Sequence, residues 1–109
     1  MIIHNPFQIS NIAPDLNRIQ TKAINVAYQA ETTGYVAMYA EPGWSGNANM
    51  LIAKDIEFKV NSTMFVTGGG YYDSESERGG GNCIVKKGDY FKVNGVGVKW
   101  VNFIPCVGA

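Results

Sequence analysis

The chain has one histidine and two cysteines in 109 residues, and no net charge: nine basic residues balance nine acidic ones. Each scarcity excludes something. Two cysteines, Cys83 and Cys106, are too few for a disulfide scaffold. A bond between them is geometrically conceivable, because they flank one stretch of chain. Two reduced thiols acting as small hydrophobes is the reading a reducing compartment favours. With His4 far away in sequence and no CxxC spacing, the set of soft metal ligands is too thin for a zinc site. A neutral chain has no electrostatic footprint for nucleic acid or for an anionic membrane. No apolar run approaches the ~18 residues of a membrane span. The N-terminus, MIIHNPFQIS, shows no basic region followed by an apolar one, so no signal peptide is read.

Catalytic patterns are equally sparse. His4 sits in the least regular segment, and none of Ser10, Ser45, Ser62, Ser74 and Ser76 lies in a Gly-x-Ser-x-Gly context. The carboxylates Glu31, Glu41, Asp55 and Glu57 fall at turns or exposed strand positions, where a structural role accounts for them. Lys86-Lys87-Gly88-Asp89 lacks the upstream frame of a phosphate loop. Asp73, Glu75 and Glu77 invite a calcium reading, but the Asp-x-Asn/Asp-x-Asn/Asp-Gly pattern is absent and Arg78 stands beside them. The expectation is a protein that is not an enzyme and has no catalytic residue, metal or cofactor.

What is present is β-structure. From Cys83 to Cys106 the sequence predicts three short strands. Ile84 and Val85 lead into a Lys86–Asp89 turn, and Tyr90, Phe91 and Val93 follow. Asn94-Gly95 is a strong hairpin signal, because both residues tolerate positive φ. The last strand, Val96 to Ile104, is predicted to carry Val96, Val98 and Trp100 on one face and Val101, Phe103 and Pro105 on the other. Apolar residues on both faces mean a strand covered on both sides, by sheets or by subunits. Earlier in the chain, strands are read at Ile19–Tyr28, Tyr35–Ala40, Met50–Ala53, Ile56–Val60 and Met64–Thr67. Turn signals every eight to twelve residues and no sustained helical period give an all-β antiparallel sandwich of jelly-roll type. One domain, residues 21–109, is expected behind an extended arm, residues 1–20. Within the arm, Ile2, Ile3, Pro6, Phe7 and Ile9 are candidates for contact with a lattice or a neighbouring subunit. Two loops carry candidate recognition aromatics: Trp44 in the loop of residues 41–49, and Tyr71 and Tyr72 in the Gly-rich segment 67–82, read as a long exposed hairpin loop.

Gly34-Tyr35-Val36 after a polar turn, then Val85-Lys86-Lys87-Gly88-Asp89, then Val101-Asn102-Phe103-Ile104-Pro105-Cys106 with Gly108, resembles small β-sandwich or jelly-roll proteins of tailed-bacteriophage virions. These include capsid decoration (cement) proteins and tail-fibre tips. The similar portion runs from about residue 30 to the end. The resemblance implies a homo-oligomer, often a trimer, on the virion surface, made in the host cytoplasm and without cofactor. Its partners would be further copies of itself and a major capsid or tail protein, without nucleic acid or membrane. No functional residue transfers, because these families share no catalytic motif. The absence of a heptad or repeat ahead of the sandwich favours decoration over a fibre tip. A receptor-binding tip reading a host surface glycan or protein, and a monomeric lectin-like module, are the alternatives.

Overall fold

A computed structural model of the protein describes residues 12–41, 48–69 and 79–109. The chain is all-β, with two antiparallel four-stranded sheets packed face to face and no α-helix among the described residues. The strands are β1 (Gln20–Lys22), β2 (Tyr28–Gln29), β3 (Gly34–Ala40), β4 (Ala48–Ala53), β5 (Thr63–Gly69), β6 (Gly79–Val85), β7 (Tyr90–Gly95) and β8 (Val98–Pro105). Sheet 1 has the order β1-β8-β3-β6 and sheet 2 the order β2-β7-β4-β5.

Alternation builds the core. In β3, Gly34, Val36, Met38 and Ala40 are buried, while Tyr35, Ala37 and Tyr39 point the other way. Val36, Met38, Val85, Val101 and Phe103 of sheet 1 meet Met50, Ile52, Phe91 and Val93 of sheet 2. Three rings join the layers: Tyr28 stacks on Phe91 at 5.5 Å between centroids, and Phe91 on Phe103 at 5.3 Å. Among the described residues no charged or polar residue is buried, so apolar burial and the strand ladders hold the fold together.

Several sequence-based boundaries move. The expected strand at Ile19–Tyr28 is two short strands, split at Asn25, whose φ is 64°. Ile56–Val60 is not a strand. Phe58 takes φ 52°, and a single 3-10 turn spans Val60–Ser62. The alternation of Ile56, Phe58 and Val60 mimicked a strand but belongs to a loop that lays Phe58 against Lys92, with the ammonium 5.1 Å from the ring centre. Part of the glycine-rich segment expected as loop is strand: β5 runs to Gly69 and β6 begins at Gly79. The β7–β8 turn lies beyond Asn94, with Gly95 at φ 121° and Gly97 at φ 79°. In β8 a bulge at Lys99 pairs Val98 with Ala40 and Trp100 with Tyr39, so Val98 packs on the core and Trp100 faces outward. The expected shared face of Val96, Val98 and Trp100 is therefore broken by one extra residue.

Cys83 and Cys106 are free thiols. Val36 pairs with Cys83 on one side and Phe103 on the other, so β6 and β8 are two strand spacings apart, about 9.6 Å. A disulfide needs Cα atoms within about 7 Å. Burial raises both thiol pKa values, which keeps them protonated and unreactive.

Residues 12–18 lie along the chain's own C-terminal end. Pro14 bridges Cys106, Asp15 N donates to Pro105 O at 2.8 Å, and Val107 N donates to Ala13 O at 2.8 Å. Arg18 fastens the join. Its Nε meets Asp15 Oδ2 at 2.8 Å, and its terminal nitrogens donate to the carbonyls of Cys106 and Ala109. The Arg18 hydrogen bond and the donation from Asn17 N lower the Asp15 pKa below its ordinary 3.8. A carboxylate depressed in the fold stabilises it above the unfolded pKa, and that contribution is lost as pH falls through the folded one. Asp15→Asn is therefore expected to give a small drop in Tm at neutral pH and a smaller one at an acidic pH below the ordinary carboxylate range, where the Asp15 carboxylate takes up its proton. Thermal unfolding of the two proteins at both pH values checks this.

Candidate interaction surface

The outward side of sheet 1 is built from three rows of residues, read from the register. The first row is Ile84, Tyr35 and Ile104. The second is Asn82, Ala37, Asn102 and Thr21. The third is Gly80, Tyr39 and Trp100. None of these ten residues is charged. Ile84 is 46% exposed and Trp100 43%, high for large apolar side chains in a four-stranded sheet. Tyr39 stacks on Trp100 with centroids 6.2 Å apart, and its hydroxyl donates to Glu41 Oε2 at 2.8 Å. Tyr35 OH donates to Ile12 O at 2.7 Å, which brings the half-exposed Ile12 to the margin of the same face. A solvated sheet face normally alternates polar outward with apolar inward. Here the outward residues are aromatic, aliphatic, amide or small, the composition of an interface core, from which charge is depleted.

Two other regions differ in character. A cleft of about 200 Å3 opens between β1 and β2, where both strands are short. Arg18, Gln20, Lys22 and Glu31 stand around it, over Tyr28, Phe91 and Phe103. Tyr28 has little free ring face to offer a ligand there: Phe91 covers one side, and the Lys22 ammonium sits 4.8 Å from the ring centre. Beside the edge of sheet 2, Ile56, Val60, Met64 and Phe65 are all about half exposed or more.

The arm residues Ile2, Ile3, Pro6, Phe7 and Ile9 lie outside the described residues, as do Trp44, Tyr71, Tyr72 and the acidic set Asp73, Glu75 and Glu77. The structure thus brings together a surface that the sequence reading did not name. Its signal was present in β8, whose two faces are both apolar, and in the Tyr35–Tyr39 alternation. Assembling it needed the pairing of β3 with both β6 and β8, which no local pattern carries.

No protein-family model, no curated protein and no solved structure matches the chain.

Proposed function

We propose that this is a non-enzymatic structural protein of a bacteriophage virion, a capsid decoration protein that works through subunit contacts. The single observation that carries the reading is the uncharged, aromatic-rich outer face of sheet 1. Strand order supports the finer architecture. β1 pairs with β8, β2 with β7, β3 with β6 and β4 with β5. That is the pairing of one long hairpin folded over into two sheets, the jelly-roll plan that viral capsid and lectin domains share. Fold alone does not choose among those functions, so the surface must.

The size of the face bears on mechanism. Strands about 4.8 Å apart, β3 and β6 of seven residues, β8 of eight and β1 of three, give roughly 400 Å2 per copy. A standard interface takes about 800 Å2 per partner. A patch this small gives modest affinity per contact, and repetition over a symmetric lattice makes it strong. A decoration protein has that repetition available.

The test is pelleting of the purified chain with undecorated capsids of the phage that carries it. Wild type is expected to co-sediment at saturating occupancy. The variant Ile84→Glu/Trp100→Glu, which puts two charges into the face, is expected to bind at least about 30-fold more weakly while keeping its melting transition. Equal occupancy by both would reject the face as the contact. Failure of wild type to bind capsids, with binding to host cells or to a glycan array instead, would move the function to a fibre tip or a lectin-like module.

A further inference from the structure

The two sides of the sandwich are finished differently. On one side the edge strands are β1, three residues long, and β2, two residues long, flanked by Arg18 and Lys22. Short strands and nearby cations blunt an edge against pairing. On the other side the edges are β5 and β6, seven residues each. Neither contains a charged residue or a proline. β6 carries three consecutive glycines and is a weak template. β5, Thr-Met-Phe-Val-Thr-Gly-Gly, has the stronger strand-forming sequence.

The free backbone groups of β5 can be assigned. Lys54 N donates to Ser62 O at 3.2 Å, so residues 54 and 62 form a hydrogen-bonded pair. Such pairs alternate along an antiparallel ladder. Ile52 with Met64 and Met50 with Val66 are then the bonded pairs. The N–H and C=O groups of Thr63, Phe65 and Thr67 point away from β4, on the side where no strand among the described residues pairs with β5.

The order of residue types adds a symmetry. Residues 63–67 read Thr-Met-Phe-Val-Thr, a palindrome of types about Phe65: threonine, aliphatic, aromatic, aliphatic, threonine. We infer that β5 is an interface between two copies of this chain, paired antiparallel edge to edge about a twofold axis at Phe65. In that register Phe65 faces the partner's Phe65, and Thr63 faces the partner's Thr67. An aromatic–aromatic pair is favourable across antiparallel strands. Three bonded pairs exchange about six backbone hydrogen bonds, and sheet 2 continues through both copies as eight strands. One further observation fits: Phe65 is 56% exposed and Met64 49% in the single chain. A self-complementary edge selects a second copy over an unrelated peptide. The inference rests on this edge alone, independently of capsid binding.

Residue-resolved amide hydrogen exchange on the full chain, at about 1 mM and after 1,000-fold dilution, tests it. The expected result is protection of the Thr63, Phe65 and Thr67 amides at high concentration, falling at least 10-fold on dilution. Met64 and Val66 amides, bonded to β4, stay protected at both. Phe65→Lys sets two lysines against each other on the axis and is expected to abolish the concentration-dependent protection. Phe65→Pro removes an outward donor without touching the β4 ladder and should do the same. If the proline variant fails to fold, the lysine variant decides. Ile84→Glu/Trp100→Glu should leave this protection unchanged, which separates the edge from the face of sheet 1. Free exchange of the three amides at every concentration overturns the inference. So does protection that ignores dilution, which would mean the chain covers its own edge, or protection that survives Phe65→Lys.

Discussion

Phe91→Ala is expected to destabilise the chain by about 3–5 kcal/mol, as deletion of a fully buried ring does. Domains of this size have about 5–15 kcal/mol in total, so the variant keeps little margin. The cause is position. Phe91 is 1% exposed and is the middle ring of the three that join sheet 2 to sheet 1, between Tyr28 and Phe103. Its loss opens a void between the sheets and leaves two rings without their stacking partner. Phe91→Leu keeps most of the volume and should cost well under half as much. Urea unfolding of the three proteins measures the difference. A cost below about 1 kcal/mol for Phe91→Ala would mean that the two layers are not joined through these rings.

Gly34→Ala is the second large effect, through the opposite mechanism. A Cβ at Gly34 would lie 2.6 Å from Phe103 Cζ and 2.7 Å from the carbonyl oxygen of Ile104. The ring can turn only into the packed core, and the carbonyl belongs to the β8 backbone, so β3 and β8 must separate. A cost of about 3 kcal/mol is expected, at the upper end of overpacking. Adding Phe103→Leu to Gly34→Ala should recover only part of it, because the backbone contact remains. Gly88→Ala is the contrasting case. Nothing lies within 4 Å of its Cβ position, and its φ of +93° alone sets a cost of about 1 kcal/mol. Chemical denaturation of these variants tests both glycines. Equal stability of Gly34→Ala and wild type would contradict the close approach of β3 and β8.

Much of the fold was legible because its signals are local. The Tyr35–Ala40 alternation, the Glu31–Gly34 turn and the Lys86–Asp89 turn each appear where residue chemistry puts them, the last with Gly88 at positive φ. What failed were places where tertiary contacts override a local pattern. Ile56, Phe58 and Val60 alternate like a strand, yet Phe58 is drawn over Lys92 and the segment becomes a loop. Gly79–Asn82 reads as loop on composition, yet β3 offers a full ladder and holds the glycines as strand. Trp100 changes face because one residue, Lys99, is extra between two pairs. The uncharged outer face of sheet 1 was out of reach for the same reason. Ile84, Tyr35 and Ile104 are separated in sequence by at least 20 positions and meet only through strand pairing.

The central claim is that the uncharged face of sheet 1 joins this protein to copies of itself and to a lattice. Light scattering across a dilution series, on wild type and on Ile84→Glu/Trp100→Glu, tests it most directly. Wild type is predicted to exceed the monomer mass at the concentrated end, up to about 1 mM, where weak interfaces are populated. The double variant is predicted to be lighter at the same concentration with an unchanged melting transition. Identical masses for the two proteins at every concentration would contradict the claim.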